Sequence, residues 1–508
     1  MSETSNRVCA VVAEESTGAA REALRRAARV ADLAELRLDY LRDFDFTSLD
    51  ALRALIEQKP LPTIITCRAQ AEGGKQQVGV RVRLRLLVEG ARRFADYCDI
   101  EAAHYSKAAA LSPDLSRVIV SYHNFSETPA DLNSIYDRIT SMPAAVHKIV
   151  TRANNVADTT AIFKLLDRAR TDGRQLIALA MGQPGLITRV LGPVWGSFLT
   201  YGSLEPGKES ASGQPSCDEL VNLYRVHRIS RHTAITGIIG SPIGHSASPA
   251  MHNHAFARLD LDFVYLPFEA KDLLDFFRRF VRLDTREIDW NLRGLSVTIP
   301  HKSAVIRLLD EVDETARKVG AVNTVVVNDG RLIGYNTDVQ GAMEPLEKAC
   351  VLADENCAVI GAGGSARALI HGLIERGARV IVFARNPAKA RELSETFGVP
   401  VLPIESLAST DAGVLINTTP VGMRGHSEGL SAAPRAALRG RRIVYDLVYN
   451  PMDTQLLIDA RAEGCRTISG LEMLIAQAAL QFELWTGQKP PTGAMRDAAL
   501  DGIARRTE

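Results

Sequence analysis

The stretch CAVIGAGGSARALIHGLIERGARVIVFAR, residues 357–385, reads as strand, glycine-rich turn, helix and strand. An apolar run leads into GAGGSA, and an amphipathic stretch follows it. That order makes one βαβ unit of the dinucleotide-binding kind. Gly361 and Gly363 leave room for backbone to approach a pyrophosphate. Gly364, Ser365 and Ala366 open the helix, whose N-terminus favours an anion. The second strand ends in Arg385, with Lys389 one helical turn on. A carboxylate at that place suits a ribose 2′-hydroxyl, whereas two cations suit a 2′-phosphate. NADP is therefore the expected cofactor.

Working outward from this unit, TAITGIIGSP near residue 233 begins the β/α series that contains it. A short basic stretch, VHRISRHTAITG, marks the boundary on its N-terminal side. Before the boundary lie the apolar runs VCAVVA, LAELRLDYL, PTIITCR, YCDIEA, RVIVSYH, AVHKIVT, LIALAMG and SFLTYGS. Helix-like segments such as Arg21–Ala31, Arg81–Tyr97 and Asp158–Thr171 separate them. Eight such units in a little over two hundred residues predict a closed (β/α)8 barrel. Periodicity alone leaves an open doubly wound sheet as the alternative. Polar residues recur at the ends of these runs: Glu35 and Arg37, Arg68, Glu101, His123, Lys148, and Met181-Gly182. In a barrel those ends meet at one mouth.

A chain of 508 residues is too long for one ordinary core, so two or three domains are expected. Sixty Lys and Arg balance sixty Asp and Glu, and no basic stripe stands out, which argues against a nucleic-acid partner. No apolar run approaches the ~20 residues of a membrane span. MSETSNR carries no apolar targeting segment, so the cytoplasm is expected. Seven cysteines without a C-x-x-C pair read as reduced, packed thiols, and no metal is expected.

Lys148 lies inside an apolar β run. One reading is a lysine that snorkels at a strand end. The other is an amine freed from its proton by burial and nearby cations, able to form an imine with a ketone. Arg37, Arg68 and Arg189 are the candidate cations. His123 ends the preceding strand, close enough for general acid–base work. Arginines with Glu35 and Gln214 suit a substrate bearing hydroxyls and a carboxylate.

ELRLD (35–39), TCRAQAEGG (66–74), SYHNF (121–125), HKIVTRAN (147–154), MGQPGLITR (181–189) and SASGQ (210–214) resemble the type I 3-dehydroquinate dehydratases. The resemblance implies Lys148 as the imine-forming residue, His123 as acid and base, and Glu72 as the partner of that histidine. It implies Glu35, Arg37, Arg68, Arg189, Ser210 and Gln214 as substrate contacts. Ser212 stands where the family's loop usually has proline.

GSPIGHSASPAMHN (240–253), LSVTIPHK (295–302), GAVNTV (320–325), GYNTD (334–338), NTTPVGM (417–423), YDLVYNP (445–451) and GLEMLIAQAALQFELW (470–485) resemble the shikimate dehydrogenases. This implies Lys302 and Asp338 as the catalytic pair. Ser246, Ser248, Thr298, Asn323, Tyr449, Gln477 and Gln481 become substrate contacts. Gly361, Gly363, Gly364, Ser365, Ala366, Arg385 and Lys389 hold the cofactor, with Thr418 and Met423 nearby. Ala384 replaces the family's usual asparagine. Ser246 and Ser248 precede a helical stretch, where serine also caps.

Together the two resemblances imply a bifunctional enzyme. Its expected layout is a barrel over 1–228, a substrate-binding domain over 229–338 completed by 470–508, and an NADP-binding Rossmann-like domain over 339–469. The expected ligands are 3-dehydroquinate, 3-dehydroshikimate and shikimate. The rivals are a quinate-preferring dehydrogenase, a class I aldolase barrel and a non-catalytic sensor of the quinate-pathway repressor kind. The intact set Lys148, His123, Lys302 and Asp338 speaks against the sensor.

Overall fold

The computed structural model describes residues 6–504 apart from His245. The chain forms two compact units. One takes in the chain up to Ala234 together with Leu266–Asn291, and the other takes in Ile235–Tyr265 and Leu292 onward.

The eight apolar runs of the first half are the eight strands of a parallel barrel. They are β1 (Val8–Val12), β2 (Leu33–Arg37), β3 (Thr63–Thr66), β4 (Tyr97–Glu101), β5 (Val118–His123), β6 (Val146–Arg152), β7 (Leu176–Met181) and β8 (Thr200–Ser203). Their order is β7-β6-β5-β4-β3-β2-β1-β8, so β1 pairs with β8 as well as β2. A parallel bridge from Leu176 to Ser197, just ahead of β8, brings the last edge round. The open-sheet alternative is thereby excluded. The first two helices start where serine caps them, as Ser16 Oγ accepts from Ala19 N and Ser48 Oγ from Ala51 N.

Inside the barrel, Cys9, Leu33, Ile64, Ile119, Val146 and Ile177 pack as an apolar floor. Side chains alternate along a strand, so the next residues on the same face lie two positions on. Those are Glu35, Thr66, Ser121 and Lys148, all buried. The polar site thus rests directly on the floor.

The second half holds two further sheets. The first comprises β9 (Ala234–Gly240), β10 (Phe263–Glu269), β11 (Asn291–Val297), β12 (Glu311–Val312), β13 (Thr324–Asn328) and β14 (Arg331–Tyr335), in the order β10-β9-β11-β13-β14-β12. The second is parallel: β15 (Asn356–Ile360), β16 (Arg379–Ala384), β17 (Val401–Pro403), β18 (Val414–Asn417), β19 (Ile443–Asp446) and β20 (Arg466–Ile468), in the order β17-β16-β15-β18-β19-β20. Counted from β15 this is the 3-2-1-4-5-6 order of a doubly wound nucleotide-binding sheet, whose ligand crevice lies where the order reverses, between β15 and β18.

The helix Asp338–Glu347 links the two sheets. Gly341 lets it approach the helix Gly470–Thr486, because a Cβ there would come within 2.9 Å of Gln477 N. The helices Gly470–Thr486 and Thr492–Ala504 return to Ser248–Arg258, where Met251, Phe256, Phe482 and Met495 share a core.

Candidate active sites

Lys148 is 4% exposed on β6. Its Nζ donates to Asp99 Oδ2 at 2.9 Å, lies 3.6 Å from Glu35 Oε1, and sits 4.3 Å from the centre of the Tyr201 ring. The charges nearest the amine are therefore carboxylates, not the arginines anticipated from the sequence. Two of the arginines are themselves engaged by acids. Arg37 forks onto Asp39 at 3.0 and 2.8 Å, and Arg68 Nη2 meets Asp99 Oδ1 at 3.0 Å. Burial would raise the proton affinity of Asp99, but Arg68 and Lys148 outweigh it and hold the carboxyl well below the usual range. For Arg68, burial opposes the charge while Asp99 and Glu101 raise its pKa on balance.

His123 ends β5, and its Nδ1 lies 3.1 Å from Glu72 Oε2. Burial lowers the proton affinity of the imidazole, and Arg68 and Lys148 lower it further. A neutral ring with Nδ1–H on Glu72 leaves Nε2 free as a base. Burial pushes Glu72 up to about 7, although Arg68 pulls the other way.

Arg189 is 2% exposed. Its Nε has no partner among the described residues, its Nη1 is 3.5 Å from Tyr201 O, and burial pushes it down to about 10. A buried guanidinium without a counter-charge is suited to a ligand's carboxylate. Ser210 and Gln214 sit together on the loop after β8, with Ser210 N and Oγ both donating to Gln214 Oε1, at 2.8 and 3.0 Å. They line a cavity with Gln183 and Leu186. Ser212, in the usual proline's place, is docked through its carbonyl, which accepts from Gly182 N at 2.8 Å.

Asp99, Asp39, Ser121 and Tyr201 had no assigned role in the sequence reading, and Glu101 had only a position. YCDIE did contain a signal. Asp is almost never buried inside an apolar strand unless it is paired.

In the second half, Lys302 Nζ donates to Asp338 Oδ2 at 2.5 Å. Asn323 Nδ2 donates to the other carboxylate oxygen at 2.8 Å and to Thr337 Oγ1 at 2.9 Å. Gln481 extends the chain of bonds. Its Nε2 reaches Thr324 Oγ1 at 2.9 Å, and its Oε1 accepts from Ser296 Oγ at 2.7 Å, which in turn accepts from Tyr265 at 2.7 Å. Tyr265 and Ser296 are thus connected to the Lys302–Asp338 pair, a link that no motif revealed. Ser248 is the first residue of its helix rather than the cap, and Ser246 Oγ accepts from its backbone N–H at 3.2 Å. Gln477 turns its amide to Leu474 O of its own helix, at 2.8 Å. Tyr449 packs at the edge of the adjoining core, and Thr298 follows β11 with its N–H on Ile239 O at 3.0 Å.

The glycine-rich turn fits a dinucleotide. Gly361 has φ +117°, and a Cβ there would meet Thr418 Oγ1 at 2.4 Å; at Gly363 a Cβ would meet nothing within 4 Å. Backbone N–H groups at the start of the helix Gly364–Glu375 are thus open to a phosphate. A Cβ on Gly364 would lie 3.2 Å from the Lys302 side chain, so Lys302 lies against the glycine-rich turn. Ser365 and Ala366 continue the helix, with Ala366 fully buried. Arg385 is exposed just past β16; the side chain of Lys389 lies outside the described ones. Thr418 Oγ1 donates to Ile360 O at 2.7 Å, and Met423 is exposed.

The sequence profile of type I 3-dehydroquinase matches residues 8–231. That of the shikimate dehydrogenase substrate binding domain matches 238–325, and that of the shikimate 5′-dehydrogenase C-terminal domain matches 470–500. A profile of NADP oxidoreductases, coenzyme F420-dependent, matches 356–437. The chain is 37% identical to the chloroplastic bifunctional 3-dehydroquinate dehydratase/shikimate dehydrogenase of Arabidopsis thaliana, over 91% of this chain and 78% of that protein. It is 40% identical to the NADP(+) shikimate dehydrogenase of Carboxydothermus hydrogenoformans, over 53% of this chain and 98% of that protein. A crystal structure of a shikimate dehydrogenase in complex with NADP+ superimposes with a TM-score of 0.50 and 36% identity, covering 54% of this chain and 97% of the other. With one relative matched across both halves and the barrel and Rossmann-type sheet both in place, the chain belongs to the bifunctional 3-dehydroquinate dehydratase/shikimate dehydrogenase family.

Proposed function

We propose that the barrel dehydrates 3-dehydroquinate through Lys148 and that the second half reduces the product, 3-dehydroshikimate, with Lys302 and Asp338. The observation that carries this reading is a buried barrel lysine with a Glu72-held histidine on the adjacent strand.

In the barrel, the Lys148 amine attacks the ketone, and water leaves as the imine forms. The imine draws electrons from the neighbouring carbon, so that carbon's proton becomes acidic. His123 takes this proton and returns one to the departing hydroxyl. Water is lost, a C=C bond forms, and hydrolysis frees 3-dehydroshikimate from Lys148. Asp99 and Glu35 balance the positive charge while the imine is present. Arg189 takes the substrate carboxylate, and Glu35, Arg37, Arg68, Ser210 and Gln214 complete the pocket.

In the second half, NADPH supplies a hydride to the ketone carbon when it is bound. Gly361, Gly363, Gly364, Ser365 and Ala366 would hold its phosphates, Arg385 and Lys389 its 2′-phosphate, and Thr418 and Met423 would border it. The alkoxide that develops on the substrate needs a proton. Lys302, held by Asp338, donates it and stabilises the charge. Asn323 fixes the second oxygen of Asp338. Ser246, Ser248, Thr298, Tyr449, Gln477 and Gln481 surround the ring and carboxylate of the substrate.

The domain assignment that goes with this reading is 1–228 for the dehydratase, 229–338 with 470–508 for shikimate binding, and 339–469 for NADP. All seven cysteines are unpaired, which supports a reducing compartment such as the cytoplasm; locating a tagged protein in its cell checks that. Incubating the protein with 3-dehydroquinate and NADPH tests the function directly. Shikimate should accumulate as NADPH is consumed, and 3-dehydroquinate left unchanged would refute the reading.

A further inference from the structure

Between β3 and the helix Val80–Arg93, the chain turns through Cys67–Lys75. This turn carries Arg68 and also Glu72, the partner of His123. Two buried carboxylates grip it by its backbone. Asp39 accepts from Arg68 N at 3.1 Å and from Lys75 N at 3.2 Å, while Glu101 accepts from Ala69 N at 2.9 Å. Each acid is held by an arginine. Arg37 holds Asp39, and Arg83 holds Glu101 from outside the set of substrate contacts.

Arg83 is 2% exposed and Glu101 1%. Arg83 Nη1 lies 2.7 Å from both oxygens of Glu101 and donates to Cys67 O at 2.8 Å. Nη2 has no partner among the described residues. The fork geometry of a guanidinium is therefore not what this place uses. One positive nitrogen at one point makes all three contacts. An ion pair so deeply buried is weak as a source of stability, since desolvation offsets its attraction. What it does here is order the turn. With Glu101 neutralised in place, the Ala69 N–H and the Cys67 carbonyl are both fixed, three and five residues before Glu72.

We propose that Arg83 is a positioning residue for the dehydration: with Glu101 it holds the Cys67–Ala69 turn so that Glu72 stays seated on His123 Nδ1. Arg83 touches no substrate. It acts on the proton transfers of His123, while Arg68 on the same turn is anchored separately by Asp99 and Ser121, so the attack of Lys148 is left alone. The inference rests on the barrel being the dehydratase proposed above.

The test separates the two steps. Dehydratase kcat and KM are measured for Arg83→Gln, Arg83→Lys and the double variant Arg83→Gln/Glu101→Gln, which leaves no buried charge unpaired. In parallel, borohydride is added with substrate and the adduct on Lys148 is quantified by mass spectrometry. Arg83→Gln and the double variant should lose roughly tenfold to hundredfold in kcat, the scale of a small misplacement of catalytic groups. KM should stay within about threefold and the trapped-imine yield should be unchanged, as expected for an interaction felt only in the transition state. Arg83→Lys should recover most of kcat, because a single ammonium can replace Nη1. A parental kcat in the double variant, a kcat and a trapping yield that fall together, or a lysine variant no better than glutamine would each overturn the proposal. Loss of trapping in the parent protein would instead overturn the dehydratase reading on which it rests.

Discussion

Lys148 Nζ lies 2.9 Å from Asp99 Oδ2, reaching across β5 from one barrel strand to the next but one. The same carboxylate takes Arg68 Nη2 at 3.0 Å and the Ser121 hydroxyl at 2.6 Å. One buried acid therefore balances two buried cations.

Asp99→Asn keeps the shape and removes that balance. Breaking a buried pair from one side costs about 3–5 kcal/mol. Heat inactivation of the dehydratase should begin at lower temperature, with the dehydrogenase activity of the same sample as reference. In a domain of this size each ~1 kcal/mol moves the midpoint by roughly 2–4 °C, so an unmoved midpoint refutes the role.

Arg189 presents the opposite case, a buried cation with no carboxylate beside it among the described residues. Removing it relieves a desolvation cost in the free protein but deprives the substrate of a partner. Arg189→Met should raise KM for 3-dehydroquinate by roughly tenfold to hundredfold, equivalent to the ~1.5–3 kcal/mol of one charge-assisted bond. The melting temperature should not fall. An unchanged KM would show that the carboxylate binds elsewhere.

Glu72 sets a pH dependence whose sign follows from its environment. Burial raises it to about 7, so the ionised form that holds His123 Nδ1–H is lost as pH falls through that value. His123 itself stays neutral across this range, because burial, Arg68 and Lys148 lower its proton affinity. Dehydratase kcat should drop by about tenfold per pH unit on the acid side of that step. Glu72→Gln should abolish the step and lower the plateau. A step that survives in Glu72→Gln belongs to another group.

Arg385 is exposed just beyond β16, where the 2′-phosphate of NADP is expected. Arg385→Asp replaces an attraction with a repulsion. The ratio of kcat/KM for NADPH over NADH should fall by roughly tenfold to hundredfold, again the scale of one charge-assisted contact. An unaltered ratio would place the phosphate elsewhere.

The residues of the first site all come from one compact unit and those of the second from the other. Sites without shared partners couple by only ~0.3–0.5 kcal/mol. Lys148→Ala should therefore abolish dehydration and leave NADP-linked shikimate oxidation within about threefold of the parent, once assay scatter is added. Lys302→Ala should do the reverse. If either folded variant lost both activities, two separate sites could not be right.

The sequence by itself determined the architecture. Eight apolar runs at β/α spacing, and one strand–GAGGSA–helix unit, leave few ways to bury their faces, because strand and helix periods dictate which side chains turn inward. It also singled out candidate site residues, since a lysine inside an apolar strand and a glycine-rich turn between strand and helix stand out from the local pattern. Only the tertiary structure decided how the charges are balanced. Asp99 and Lys148 are 49 positions apart, Arg83 and Glu101 are 18 apart, and Ser296 and Gln481 are 185 apart. Nothing in the local pattern says that Lys148 meets an acid before it meets an arginine. That follows from strand order, which places β4 two strands from β6 over one apolar floor. In so dry an interior every charge must find its counterpart across the barrel.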